Sequence, residues 1–169
     1  KILSIAAGSA RAVLETIEMH ENEQYSFHLT FLDKSEKAIE YSKSLSQEKL
    51  KHSKVVWVND TIGNFFKSEM VGKYDIVEMV GLIDYFDDAK TQEVFEKIRS
   101  SLNEGGMLIT ANVNNNRERK FLERIIDWHM IYRTADELAN ILEKSGFEEE
   151  KMSIFYEPLK IHSVIVARK

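Results

Sequence analysis

The chain has 169 residues, 43% of them hydrophobic and 30% charged, the balance of a single globular domain with one sizeable core. Its 23 basic and 28 acidic residues leave a net charge of −5, which argues against the basic face that a nucleic-acid partner needs. With no cysteine there are no disulfides or thiolate metal ligands, and the cytoplasm is the expected compartment; no apolar run approaches a membrane span and no signal-peptide pattern is present.

The sequence opens on Lys1 and runs at once into an apolar strand, Ile2 to Ala6. This start reads as a piece of a longer chain whose N-terminal segment is missing. Gly8-Ser9 punctuates the run, and Val13, Leu14 and Ile17 follow at helical spacing until the polar run His20 to Glu23. His28 to Leu32 reads as a second strand, stopping at Asp33. Ser35 is placed to cap a helix that carries Ala38, Tyr41 and Leu45. Val55 to Val58 is a third strand, stopping at Asn59-Asp60, and Tyr74 to Val80 is a fourth. Asp87 or Asp88 caps a helix with Phe95, Ile98 and Leu102 on one face. Glu104-Gly105-Gly106 is a turn, and Met107 to Val113 a fifth strand. From Asn114 to Gly146 the pattern is mostly helical, in two pieces around Tyr132-Arg133-Thr134. Thr134 reads as an N-cap, with Glu137 completing a capping box. Lys151 to Tyr156 and Ile161 to Ala167 are strands joined by Glu157 to Lys160, an antiparallel hairpin.

Continuous apolar strands alternating with helices indicate an α/β fold, a doubly wound Rossmann-like sheet that is mostly parallel and ends in the antiparallel hairpin. Ligands of such sheets sit at the carboxyl ends of the strands. The turn Ala6-Ala7-Gly8-Ser9-Ala10 occupies that position. Its small residues let a ligand approach the backbone, and the helix beyond presents free N–H groups. Asp33, at the end of the second strand, can accept the hydroxyl protons of a ribose; the other reading is a turn or capping residue. A turn with a single glycine is a poor dinucleotide fingerprint, because a pyrophosphate needs close backbone approach at more than one point. A ligand without phosphates is less demanding.

The order of elements and motifs resembles the class I S-adenosylmethionine-dependent methyltransferases, whose seven-stranded sheet ends in an antiparallel hairpin. Ile2-Leu3-Ser4-Ile5-Ala6-Ala7-Gly8-Ser9-Ala10 is similar to the family's first motif, hydrophobic residues followed by D/E-x-G-x-G. Phe31-Leu32-Asp33-Lys34-Ser35 is similar to the second, whose acid holds the ribose. Asn59-Asp60-Thr61 resembles the third, which contacts the adenine amino group, and Tyr74-Asp75-Ile76-Val77 the fourth. Leu102-Asn103-Glu104-Gly105-Gly106-Met107-Leu108 resembles the fifth-strand signature L-x-x-G-G-x-L. The resemblance implies S-adenosylmethionine as cofactor and a small-molecule substrate. It assigns the cofactor to Ala6, Ala7, Gly8, Ser9, Asp33, Lys34, Asn59, Asp60 and Thr61, with Glu78 and Met79 at the end of the fourth strand. Two departures bear on cofactor affinity. Ser4 or Ala6 stands where the family often has an acid that partners the cofactor's ammonium group, and Ala10 stands where it has a glycine. A narrower likeness, in Val80 to Phe86, Ala111 to Val113 and Asp127 to Thr134, is to a bacterial subgroup that includes enzymes making hydroxy-fatty-acid methyl esters.

The reaction so implied is methyl transfer to a small molecule, a carboxylate or a hydroxy fatty acid. A carboxylate is already anionic at neutral pH and needs no base, whereas an alcohol or phenol does. Tyr85 follows strand 4 and is either substrate wall or loop packing. Asn112, or Asn116 in the polar run beyond strand 5, is a candidate to face the cleft. Trp128 and Tyr132, four residues apart, share a face if helical. With Arg133 they would form an apolar slot with one cation for an acidic substrate; the alternative is a core aromatic stripe with a surface arginine. His129 and Glu78 are the candidates for acid–base work, although a lone histidine is more often structural. His20, His28, His52 and His162 lack metal-ligand spacing, so no metal is expected. Two other readings stand beside the enzyme: a non-catalytic methyltransferase-like module that binds a protein, and an NAD-binding dehydrogenase domain. The sequence leaves the oligomeric state open.

Overall fold

Parallel strands must be joined by crossovers, and the helices that make the crossovers cover the faces of the sheet. The computed structural model describes every residue except Glu23, the end of the polar run, and describes Glu48 by its backbone alone. The elements are β1 (Ile2–Ile5), α1 (Arg11–His20), β2 (His28–Asp33), α2 (Glu36–Lys49), β3 (Lys54–Asn59), α3 (Ile62–Phe65), β4 (Tyr74–Val80), α4 (Asp88–Ser101), β5 (Leu102–Val113), α5 (Arg119–Arg124), α6 (Ala135–Lys144), β6 (Met152–Tyr156) and β7 (His162–Arg168). The seven strands run in the order β3-β2-β1-β4-β5-β7-β6, the mostly parallel Rossmann-like α/β sheet with a terminal antiparallel hairpin. By compactness the chain divides into Lys1–Met79 and Val80–Lys169.

In Lys1–Met79, β1 pairs in parallel with β2 and β4, and β2 with β3. This register sets Asp33 beside Asn59 and Ser4 beside Glu78. Leu14 and Ile17 of α1 pack with Ala10, Leu29 and Phe31, and Leu45 and Trp57 lie against this cluster. Phe31 stacks on Trp57 with ring centroids 4.7 Å apart. Ser35 caps α2, its Oγ accepting the Ala38 N–H at 3.3 Å. The buried face of α2 differs from the expected one. Ile39, Ser42 and Ser46 are buried, while Tyr41 is 49% exposed. Each serine hydroxyl donates to a carbonyl one turn back, Ser42 to Ile39 and Ser46 to Lys43. With that bond made, a serine buries as a small residue, which a hydropathy pattern does not register.

In Val80–Lys169, β7 lies between β5 and β6 and is antiparallel to both. Phe95 and Ile98 of α4, Leu138 and Leu142 of α6, Leu108 and Ile165 are all buried. Asp87, not Asp88, caps α4, its Oδ1 accepting the Lys90 N–H at 2.8 Å. Leu102 ends that helix and begins β5, so Glu104-Gly105-Gly106 lies inside the strand instead of forming a turn before it. Gly105 takes φ +74° there, which glycine tolerates. The expected helical stretch after β5 is mostly irregular. α5 is short, and the chain leaves it through Ile125-Ile126-Asp127, with Asp127 at φ +57° and the Trp128 N–H donating to the Leu122 carbonyl at 2.9 Å. Beyond this point the Ile131 N–H donates to the Asp84 carbonyl at 2.7 Å and the Arg133 N–H to the Val113 carbonyl at 3.2 Å. Trp128 and Tyr132 therefore share no helical face. Among the described residues no helix is long and apolar enough to cross a membrane.

α6 starts as expected. Thr134 Oγ1 accepts the Glu137 N–H at 3.2 Å, and Glu137 Oε2 accepts the Thr134 N–H at 2.7 Å. Thr134→Ala removes this reciprocal pair and is expected to lower unfolding free energy by about 1 kcal/mol, measured by urea denaturation against the parent.

Candidate functional site

Beyond β1 the chain turns through Ala6, Gly8 and Ala10, which take φ +55°, +54° and +52°. Glycine adopts this left-handed region freely, whereas an alanine there costs about 1–2 kcal/mol. Hydrogen bonds hold the loop in place: the Ala7 N–H donates to the Leu32 carbonyl at 3.1 Å and the Ala10 N–H to the Ala7 carbonyl at 2.7 Å. Ala10 starts α1 with no side-chain cap, which leaves first-turn amides for solvent or ligand.

The half-buried Asp33 joins the loop to the tip of β2. Its Oδ2 accepts the Gly8 N–H at 2.8 Å and its Oδ1 the Ser35 N–H at 2.8 Å. A carboxylate has about four acceptor sites, so these two bonds leave capacity for hydroxyl protons. A Cβ built on Gly8 would meet nothing within 4 Å, so the space over the loop is open. Asn59 Nδ2 and the Asp60 N–H both donate to the Asp33 carbonyl, at 3.1 and 3.2 Å. Asp60 Oδ1 accepts from the Thr61 N–H at 2.7 Å and from Asn64 Nδ2 at 2.9 Å, and Thr61 Oγ1 caps α3. The turn Ala6 to Ser9, Asp33, Asn59, Asp60 and Thr61 thus converge at the carboxyl ends of β1, β2 and β3, with Lys34 exposed beside them.

Glu78 and Met79 differ in what they offer. Met79 is 0% exposed, so its side chain belongs to the core and only its backbone is available. Ser4, buried in β1, donates from Oγ to Glu78 Oε2 at 2.5 Å across the β1–β4 pair. The acid absent from β1 therefore has a carboxylate neighbour at the same level, supplied by the adjacent strand. Only the register reveals it.

Within Val80–Lys169 lies a cavity of about 340 Å³, a size that suits a small molecule. Tyr85 and Trp128 both line it, joined by a bond from Trp128 Nε1 to Tyr85 Oη at 2.8 Å. Val113, Leu122, Met130 and Ile161 add apolar wall; Asp84, Asn116, Glu118 and His162 add polar groups. Asp84 is buried, and its Oδ1 accepts the Val113 N–H at 3.0 Å. Burial pushes its carboxyl above the ordinary value, against the Val113 amide, His162 and Arg133, which pull it down. The sequence reading gave no role to Asp84 or His162. The available signal was a lone acid inside the apolar run that follows β4.

Other expected substrate residues have structural duties. Arg133 is 3% exposed. Its Nε donates to Asp88 Oδ1 at 2.9 Å, its Nη1 to the Ile83 carbonyl and Asn112 Oδ1 at 3.1 Å, and its Nη2 to the Phe86 carbonyl at 2.6 Å, with Nη2 also 2.9 Å from Asp88 Oδ1 in an ion pair. Buried and bonded at all three nitrogens, Arg133 is neither a surface residue nor part of the cavity lining. Asn112 is 0% exposed and also donates to the Ile131 carbonyl at 3.3 Å; it is part of the same bracket and does not line the cavity. Tyr132 sits with its ring 4.6 Å from the Arg119 guanidinium carbon and is likewise outside the cavity lining. His129 is a surface residue, its side chain 70% exposed and paired with the exposed Asp127 at 3.0 Å. That position suits no sheltered proton transfer. Among the described residues no group of three His, Cys, Asp or Glu is arranged to hold a metal.

The alanines of the first loop respond differently to substitution. Ala6→Gly relieves the left-handed backbone and is expected to raise unfolding free energy by about 1 kcal/mol. Ala10→Gly is expected to change it little, because the Ala10 methyl is 5% exposed in the core and its loss offsets the relief. Urea denaturation of both variants checks the contrast.

The sequence matches the family model of a methyltransferase domain over residues 3–108. No curated protein matches it in sequence. A Bordetella parapertussis protein described as a possible exported protein superposes with TM-score 0.81 at 18% identity, over 99% of this chain and 61% of that one. Magnesium protoporphyrin IX methyltransferase from Synechocystis PCC 6803, solved with bound SAH, gives TM-score 0.75 at 13% identity, over 99% of this chain and 73% of that one. Human N-acetylserotonin methyltransferase in complex with SAM gives 0.69 at 15%, over 99% and 47%. The chain thus spans less than two thirds of the first of these, and identities this low carry the fold alone. The family match, which covers more than half of the chain, carries the membership. The chain belongs to the methyltransferase-domain family, the class I S-adenosylmethionine-dependent group that its order of motifs resembles.

Proposed function

We propose that this chain transfers a methyl group from S-adenosylmethionine to a small molecule, with Lys1–Met79 binding the cofactor and the cavity of Val80–Lys169 holding the acceptor. The observation that carries this reading is the Asp33 carboxylate, fixed between the Gly8 and Ser35 amides at the tips of parallel strands. The residues present fit an adenosyl group. Asp33 retains acceptor sites for two ribose hydroxyls, Asn59 and Asp60 offer polar atoms to the adenine edge, and the open face of Gly8 admits the sugar. Glu78, beside Ser4, offers the negative charge that an ammonium group needs. The bound cofactor supplies a methyl group on a sulfonium, and the chain's own task is to align and shelter the acceptor.

The acceptor wall is Tyr85 and Trp128 with Leu122 and Met130, which suits an apolar body such as the acyl chain of a hydroxy fatty acid. The acidic-acceptor slot of Trp128, Tyr132 and Arg133 loses its cation, because Arg133 is buried and bonded inside the protein. A cysteine-free chain is compatible with the cytoplasm.

A non-catalytic module is the second reading, favoured by the two left-handed alanines and by the backbone bonds already on Asp33. A dinucleotide is disfavoured, because a turn with a single glycine does not offer the close backbone approach at more than one point that a pyrophosphate needs.

Calorimetry with S-adenosylmethionine, S-adenosylhomocysteine and NAD separates the readings. Saturable binding of the first two is expected, and none of NAD. Asp33→Ala is expected to weaken S-adenosylhomocysteine by about 1–3 kcal/mol, the loss of a charged hydrogen-bond acceptor. An unchanged dissociation constant removes Asp33 from the site.

A further inference from the structure

Two acids, Asp84 and Glu118, line the acceptor cavity, and His162 is the single lining residue that can carry a positive charge. Arg133, the nearby guanidinium, is bonded at all three nitrogens to Asp88, Asn112 and backbone carbonyls and does not line the cavity. We infer that the cavity takes an acceptor whose reacting group is an uncharged hydroxyl, with Asp84 receiving the hydroxyl proton. This rests on the methyl-transfer reading above and narrows it to a substrate class.

A carboxylate acceptor in this cavity would meet the buried Asp84 and the exposed Glu118, and Asp84 repels it more strongly because little water screens it. A neutral hydroxyl has the opposite fit. It donates to Asp84 while its apolar body lies on Leu122, Met130 and Trp128. Asp84 is 4% exposed and is rigidly placed: its Oδ1 is held by the Val113 N–H at 3.0 Å and its carbonyl by the Ile131 N–H at 2.7 Å. An acceptor that is already anionic needs no base, whereas a hydroxyl needs one within reach. Burial raises the Asp84 carboxyl, which makes it a stronger proton acceptor than a solvated aspartate.

When bound, the cofactor would supply the methyl group and keep the electron pair of its broken carbon–sulfur bond on sulfur. The part played by this chain is that of Asp84, which takes the hydroxyl proton and releases it to solvent.

The test uses 2-naphthol and 2-naphthoate, a neutral hydroxyl and a carboxylate on the same ring system, titrated into the cofactor-free chain at neutral pH. Naphthol is expected to bind at least about tenfold tighter than naphthoate. Naphthol becomes a strong acid on excitation and passes its proton to a carboxylate or to bulk water, so emission is read with protein in excess, where the bound probe beside a carboxylate acceptor emits from the naphtholate. That longer-wavelength band is expected in the parent. It is expected to vanish in Asp84→Asn, which keeps an oxygen for the Val113 N–H but is no base. Equal or tighter binding of naphthoate, no binding of either probe, emission only from neutral naphthol in the parent, or a naphtholate band that survives in Asp84→Asn would each overturn the inference. If the variant does not fold, the parent's probe preference and emission decide alone. S-adenosylhomocysteine calorimetry on the same preparation keeps the two readings apart: loss of that binding sinks the cofactor assignment, while the probes report on the cavity.

Discussion

A single carboxylate organises the first half of the molecule. Asp33 accepts the Gly8 amide on one oxygen and the Ser35 amide on the other, and its carbonyl takes the Asn59 side chain and the Asp60 amide. The tips of β2 and β3 and the loop after β1 are thereby tied to one residue. Parallel strands end in step, so their tips need such a tie if the loops between them are to keep one shape. The same tie compensates for alanines in a backbone region that glycine prefers. Strain at Ala6 and Ala10 persists because the surrounding bonds over-determine it.

The second half depends on a buried guanidinium in a comparable way. Arg133 binds the turn after β4 through Ile83 and Phe86, the end of β5 through Asn112, and the start of α4 through Asp88. A planar fork with five donors is the one side chain that satisfies this many acceptors at once. The result is a fixed frame around Asp84, Tyr85 and Val113, three of the residues that line the cavity. Arg133 and Asn112 position other groups and do not line the cavity themselves.

Much of the fold was legible because it rests on local rules. β4 has the bounds that its apolar run suggested, and Ser35 and the Thr134–Glu137 box cap the helices they were expected to cap. The parts that were not legible depend on non-local facts. Ser42 and Ser46 bury because their hydroxyls are satisfied within the helix. The Trp128–Tyr132 spacing carries meaning only if the segment is helical, and Asp127 takes it elsewhere. Arg133 resembles a surface cation until its acceptors, drawn from distant elements, are in place. The candidate cofactor positions were legible from the order of motifs, but the pairing of Ser4 with Glu78 requires the register of two strands far apart in sequence.

The irregular stretch after α5 has a consequence for how this scaffold diversifies. Its backbone is anchored at Trp128 to Leu122 and at Ile131 to Asp84, and between those anchors lie His129 and Met130. Met130 forms part of the cavity wall and belongs to no helix or strand. Lengthening or shortening that span reshapes the chamber while leaving the strand tips around Asp33 untouched. Insertion and deletion there can change the lining of that chamber, while the bonds that Asp33 makes stay within Lys1–Met79.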